Sequence, residues 1–344
     1  MAPNPVDSAV SKDNLFIPLI DFSAHLHGTP AERLTCASAL LHGFQTAGFV
    51  YLKNFDVAPL TLSRVFSHSA KFFERPQAQK DELAWYSPEA NRGYVAHGRE
   101  KVTQLEDHDE VEALRAANPD LKESLEIGRD DEAGLPNMWP DKFDEAGKEF
   151  KEVMKAFHDE CKNLHMEVMR SVALGMGIEE DWFDGFTDKG DNTLRLLHYP
   201  GVKRSMFKEK TGQVRAGEHS DYGSITLLFQ DDRGGLQVKS PDGTFVDATP
   251  IEGTVVINAG DLLARWSNDT IKSTKHRVVE PPLKKGQEVG VGEDYPPRYS
   301  IAYFCNPNFD RMIEAIPGTF EENGKKYEGI NSGEYLVKRL TATY

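Results

Sequence analysis

The stretch Ala216-Gly-Glu-His-Ser-Asp-Tyr-Gly-Ser-Ile-Thr-Leu-Leu-Phe-Gln230 carries both a strand and a piece of chemistry. Ser224–Gln230 is a short run of apolar and β-branched residues after a glycine, the pattern of a buried strand. His219 and Asp221 stand two residues apart at its entry. On an extended chain such side chains share a face, so an imidazole and a carboxylate can reach one ion. Two ligands hold an ion weakly. A third is available in His276, where the apolar strand Val278-Val279 begins. Two histidines and one carboxylate leave about three positions open on an octahedral ferrous ion. On zinc the same three leave one position of a tetrahedron. The residues alone leave the choice of metal open.

The same texture extends outward. Leu194–Tyr199, Leu236–Ser240, Thr244–Ala248, Thr254–Ala259 and Tyr299–Cys305 read as further short strands, with Pro241-Asp-Gly243 as a hairpin turn between two of them. Several short strands at this spacing predict a jelly roll. The first half is different. Residues 30–47 and about 60–74 read as helices around the strands Ile17–Phe22 and Phe49–Leu52. Phe150, Val153, Met154, Phe157, Cys161, Leu164, Val168 and Met169 recur at three- and four-residue steps, which predicts one long support helix over about 146–178. The fold class expected is α+β, mainly β: a double-stranded β-helix core with a helical N-terminal module packed on it. The divisions expected are a loose polar tail over 1–14, the module over 15–150 and the core over 151–344. The charge-rich segment 85–145 is expected to wrap the surface or cover a site, and Leu283–Tyr295 to form a loop at its mouth.

Arg298-Tyr-Ser300 opens the strand that runs to Cys305, and Arg298 and Ser300 alternate onto one face. A guanidinium offers a two-pronged grip on a carboxylate, and a hydroxyl adds another donor. The order HxD, distal His, RxS resembles the iron- and 2-oxoglutarate-dependent dioxygenases, in the branch that contains isopenicillin N synthase. The likeness covers nearly the whole chain. Ile17-Pro-Leu-Ile-Asp21 and Gly43-Phe-Gln-Thr-Ala-Gly-Phe49 are similar to that branch's N-terminal module, and Asn258-Ala-Gly-Asp-Leu262, Ser267-Asn-Asp269 and His276-Arg-Val278 to its core.

The resemblance implies that His219, Asp221 and His276 are the iron ligands and the catalytic centre. It implies that Arg298 and Ser300, with Tyr199, bind the co-substrate. Within the branch, Asn91-Arg-Gly-Tyr94, Leu194–Pro200 and His219–Val238 are similar to fungal enzymes that oxidise the 5-methyl group of thymine. That likeness implies Arg195, Tyr222, Phe304 and Asn192 as substrate-binding residues. The cofactors implied are Fe(II), 2-oxoglutarate as co-substrate and O2, with ascorbate as activator. The activity implied is hydroxylation of a small-molecule C–H bond, coupled to decarboxylation of 2-oxoglutarate to succinate. The product from thymine is 5-hydroxymethyluracil, with the aldehyde and acid beyond it. Two other readings are carried: the same chemistry on a free amino acid or secondary-metabolite intermediate, and a metal-bound binding module without turnover.

The chain has 344 residues, 39% hydrophobic and 28% charged, ample for a folded core. Forty basic against 55 acidic residues give a net charge of −15. That argues against a nucleic acid polymer or an anionic membrane as partner, since both need a basic face. Three scattered cysteines predict no disulfide framework. The N-terminus has no apolar signal region and no run is long enough to span a membrane, which predicts a cytoplasmic protein; separately, a monomer or weak homo-oligomer is expected.

Overall fold

The structure is a computed structural model that describes residues 7–99, 120–203, 205–209, 214–280, 294–322 and 324–343. Two facing sheets form its centre. The larger is built from Asp7–Lys12 (β1), Leu15–Asp21 (β2), Phe49–Lys53 (β3), Gly93–Val95 (β4), Glu123–Ile127 (β5), Thr193–Tyr199 (β6), Ile225–Gln230 (β8), Thr254–Ala259 (β11) and Arg298–Cys305 (β13). The smaller is built from Ala216–His219 (β7), Leu236–Lys239 (β9), Phe245–Asp247 (β10) and His276–Val278 (β12). The large sheet runs β1-β2-β3-β11-β8-β13-β6-β5-β4 and the small one β10-β9-β12-β7. Neighbours pair antiparallel, except that β2 and β3 are parallel.

Alternation along β13 explains how one strand serves two layers. Ile301, Tyr303 and Cys305 pack into the core that contains the long helix Glu145–Met176 (α3). Ala302, joined by Phe304, belongs to the core between the sheets with Leu197, Val238 and Val278. The α3 stripe is buried at all eight positions the periodicity singles out. Asp144 caps the helix start by accepting the Gly147 N–H at 2.7 Å. Gly177, at φ 72°, ends it in the left-handed conformation. Pro30–Thr46 (α1) starts with Pro30 behind a Thr29–Glu32 capping box, and Pro59–Phe73 (α2) lies on the same side. Helix makes up 34% and strand 26%, with the β character gathered in the half that carries the site.

Two expectations are corrected. Within the polar stretch 1–14, Asp7–Lys12 is a strand rather than a loose tail. Asp13 and Asn14 (φ 50° and 57°) form the tight turn that pairs it with β2. Two residues with positive φ match the twist of a hairpin, and Asp and Asn tolerate that conformation. The N-terminal module packs on the core as expected and is also joined to it, because β3 pairs with β11 inside the large sheet. Second, the charge-rich segment does not simply wrap the surface: it contributes β4 and β5 to that sheet, both buried. Its charges conceal the strand because they pair indoors. The carboxylate of Glu123 meets Lys80 Nζ at 2.8 Å, His198 at 2.7 Å and the Tyr94 hydroxyl. Residues 100–119 of that segment, and residues 283–293 of the expected mouth loop, lie outside the described residues. Cys36, Cys161 and Cys305 are buried and unbridged.

Candidate metal centre and active site

β7 and β12 bring the metal ligands together. His219 and His276 are direct cross-strand partners, followed by an irregularity in register before Ala216 meets Val278. Their ring centroids are 4.3 Å apart. Asp221 Oδ1 lies 3.8 Å from the Nε2 of each. The three ligand atoms lie within 4.8 Å of one another. Three donors converging without touching leave the space an ion occupies.

The surroundings fix which atoms face that space. His219 Nδ1 lies 2.7 Å from the Gly217 carbonyl and His276 Nδ1 3.2 Å from that of Thr274. A carbonyl only accepts, so each Nδ1 carries the hydrogen and each Nε2 presents its lone pair to the ion. Asp221 Oδ2 accepts from Thr226 Oγ1 at 2.5 Å and Asn258 Nδ2 at 2.7 Å, leaving Oδ1 for the ion. Burial, then the neighbouring His276, pushes His219 down to about 3 against the pull of Asp221, so the ring is neutral. Burial pushes the Asp221 carboxyl up. The two histidines, Asn258 and Thr226 outweigh it and hold the group below the usual carboxylate range. A neutral His219 imidazole and an ionised Asp221 carboxylate belong to the donor set an open-sided ferrous centre needs.

The paired strands β6 and β13 lay out the rest. Tyr199 faces Arg298, Leu197 faces Ser300, Arg195 faces Ala302 and Thr193 faces Phe304. One end of this ladder therefore carries Arg298, Ser300 and Tyr199, and the other Arg195 and Phe304. Arg298 is 1% exposed. It donates from Nη1 to Ser300 Oγ at 3.1 Å, from Nε to the Gly234 carbonyl at 2.9 Å and from Nη2 to Gln230 at 3.2 Å, with its guanidinium over the Tyr199 ring.

At the other end a cavity of about 280 Å³ opens beside His219 and Asp221. That is close to the lower end of the range for small-molecule sites, about 300 Å³. Arg195, Tyr222, Phe304 and Asn192 all line it. Arg195 lies over the Phe304 ring at 5.0 Å, and its Nε is held between the Glu126 oxygens at 2.7 and 2.8 Å. Asn192 donates to the Tyr303 hydroxyl at 3.0 Å and accepts the Asn306 N–H at 2.8 Å. Its amide therefore braces the wall it forms.

Two contributors were not read from the sequence. Glu126 sits on β5, inside the stretch whose charge suggested surface, and no sequence signal separates it from its neighbours. The final helix, Ser332–Thr343 (α4), closes one side with Leu336, Val337, Leu340 and Thr343. Thr343 Oγ1 meets the Tyr222 hydroxyl at 2.8 Å and Arg339 lies over the Tyr222 ring. The spacing of Leu336, Leu340 and Thr343 was the available signal. Pro88–Arg92 with Gly128, Arg129 and Glu132 form the opposite wall, so part of the 85–145 segment does cover the site. Among the described residues, no helix is long and apolar enough to cross a membrane.

Comparison with known proteins agrees with this geometry. Residues 190–307 match the 2OG-Fe(II) oxygenase superfamily, and residues 17–142 match the N-terminal region of the non-haem dioxygenases, described from morphine synthesis. A 2-oxoglutarate-Fe(II) type oxidoreductase of Metarhizium rileyi is 34% identical over 94% of this chain and 90% of its own. A proline hydroxylase of Petromyces alliaceus is 32% identical over 94% and 98%. The crystal structure of Neurospora crassa thymine 7-hydroxylase in complex with α-ketoglutarate and thymine superposes with a TM-score of 0.90. The two are 63% identical over 98% of this chain and all of that one. With the His-Asp-His metal site in place, the chain belongs to the 2OG-Fe(II) oxygenase superfamily and is an enzyme of its 2-oxoglutarate-dependent dioxygenase group, which uses Fe(II), 2-oxoglutarate and O2.

Proposed function

We propose that this enzyme is a thymine hydroxylase, which oxidises the 5-methyl group of the free base to 5-hydroxymethyluracil and accepts the alcohol and aldehyde as further substrates. The observation that carries the reading is the 63% identity, over nearly the full length of both chains, to a structure holding α-ketoglutarate and thymine. A related complex holds 5-formyluracil. The cavity suits such a ligand. Phe304 and Tyr222 offer aromatic faces to a flat ring, and Arg195, kept in plane by Glu126, supplies N–H donors to a ring carbonyl. A free base also fits the net charge of −15, which suits neither a nucleic acid polymer nor a membrane surface.

In this reading His219, Asp221 and His276 would hold the iron. Bound together, Fe(II) and 2-oxoglutarate supply activation of dioxygen coupled to decarboxylation of the co-substrate. Arg298 and Ser300 hold the distal carboxylate, with Tyr199 alongside, and their mutual hydrogen bond aims both groups in advance. The proposed ring-binding residues line the same cavity as His219 and Asp221, and α4 and the Pro88–Arg92 stretch wall it. The chain need supply no general base. Its contribution is coordination, orientation and exclusion of water.

A second reading keeps the chemistry and changes the substrate to an amino acid or secondary-metabolite intermediate. It draws on curated relatives 30–34% identical, among them the proline hydroxylase. Turnover with Fe(II), ascorbate and 2-oxoglutarate on thymine, uracil and amino acids separates the two. Thymine-dependent succinate with 5-hydroxymethyluracil is expected. Succinate with another substrate, thymine untouched, sinks the assignment. Arg195→Ala is expected to raise the thymine KM tenfold or more and to leave 2-oxoglutarate binding unchanged; an unchanged thymine KM favours the second reading.

A further inference from the structure

Arg215 stands four residues before His219, just ahead of β7. Its side chain is fully buried, and among the described residues neither Nε nor Nη1 has a hydrogen-bond partner. Nη2 reaches the Pro296 carbonyl at 3.4 Å, a long contact. The strand does not need this side chain to hold it. The Arg215 N–H donates to Val278 at 2.8 Å and its carbonyl accepts from Leu121 at 3.1 Å.

A buried guanidinium whose donors are idle is costly and calls for an acceptor. Its neighbourhood makes the demand larger. The Arg215 Cζ lies 6.0 Å from the centroid of the Tyr199 ring, and the Arg298 Cζ lies 4.8 Å from the same centroid. Two fully buried positive charges thus share one aromatic ring. All three donor contacts of Arg298 go to neutral oxygens, those of Gly234, Ser300 and Gln230. Asp231 is an acid whose field acts on both arginines. It spends its oxygens on the backbone N–H groups of Arg233 and Tyr299 at 3.0 and 2.6 Å. Burial first, and then the charge of Arg298, push Arg215 down to about 10, which still leaves it charged at neutral pH. Two like charges in a water-poor region repel each other, and an anion between them offsets that repulsion. The planar, two-oxygen anion that matches guanidinium forks is a carboxylate.

We propose that Arg215 is a second cation for the distal carboxylate of 2-oxoglutarate, sharing it with Arg298 and Ser300. The inference rests on reading Arg298 and Ser300 as the co-substrate's clamp, and it adds a residue that neither the HxD nor the RxS signature contains. Arg215 then sets the discrimination between 2-oxo acids that end in a carboxylate and those that end in a methyl group. It is a binding and specificity residue and touches no atom that reacts.

The test uses full-length protein loaded with Mn(II), titrated calorimetrically with 2-oxoglutarate and with 2-oxopentanoate, which has the same chain length and a methyl end. For Arg215→Gln, 2-oxoglutarate is expected to bind about ten- to a hundredfold more weakly, the range for losing a charge-assisted hydrogen bond. The affinity for 2-oxopentanoate is expected to stay within twofold. Parallel weakening of both acids, or no change in either, overturns the proposal. Arg298→Gln is measured beside it. If that variant keeps full discrimination, the clamp reading itself has failed; if it loses discrimination and Arg215→Gln does not, only the present inference has failed. Should Arg215→Gln not fold, the wild-type chain decides the matter. The Arg215 Nε–H resonance of the Zn(II) form shifts on adding 2-oxoglutarate and not on adding 2-oxopentanoate, and absence of that difference overturns the proposal.

Discussion

Thr226→Val asks how far the metal affinity depends on what orients the ligands. The Nδ1 partners of both histidines are backbone carbonyls, which no substitution removes. Asp221 is different, because its Oδ2 is held by two side chains, Thr226 at 2.5 Å and Asn258 at 2.7 Å. Valine keeps the branched shape and deletes the hydroxyl. A hydrogen bond to a charged group contributes about 1.5–3 kcal/mol. Part of that loss falls equally on the metal-free and metal-bound protein, and Asn258 still holds the same oxygen. The share that reaches metal binding is therefore about 1.4 kcal/mol, or tenfold in Kd, at the lower edge of the ten- to hundredfold typical of such outer partners. Adding Asn258→Leu frees Oδ2 entirely and is expected to bring the loss to about a hundredfold. The assay is calorimetric titration with Mn(II), alongside the Tm of the metal-free variants, which separates a loosened ligand from a loosened fold. A single variant within twofold of wild type, with the double variant no weaker, would refute the idea that Thr226 and Asn258 preset the carboxylate.

Two further outcomes follow from the same geometry. Burial pushes Glu123 up, but His198, Lys80 and Tyr94 outweigh it and hold its carboxyl down at about 2, against an ordinary 4.5. A depressed carboxyl stabilises the fold above its unfolded value, and that stability is lost as pH falls from about 4.5 towards 2. Glu123→Gln should lower the Tm at neutral pH and flatten the acid limb of stability against pH, read by thermal melts; an unchanged limb contradicts this. Removing residues 333–344 strips the α4 wall and the Thr343 contact to Tyr222. The truncated chain should keep Mn(II) and 2-oxoglutarate affinity while its thymine KM rises at least tenfold, and an unaltered KM would show that the wall does not hold the substrate.

What could be read from the residues shares one property: the signal is local. His219 and Asp221 stand two apart, and Arg298 and Ser300 do the same, so one strand presents each pair on one face. The α3 stripe repeats within 32 residues and needs no partner to be recognised. The hidden parts depend on partners far away in the chain. Glu123 and Glu126 look like surface carboxylates until Lys80, His198 and Arg195 arrive from elsewhere. The strand Asp7–Lys12 looks like a polar tail until the turn at Asp13 and Asn14 lays it on β2.

The sequence by itself determined the kind of centre this protein builds: a facial set of ligands, a strand of arginine and serine, and a β core braced by one long helix. Ligand identity and period-two spacing are properties of consecutive residues, so folding only had to bring them near one another. The tertiary structure alone decided the walls of the cavity, the acid that fixes Arg195 and the place of Arg215. Each is a matter of charge in a region without water. A guanidinium is ordinary on the surface and demanding in the interior, and only the packed sheets determine which of the two it meets.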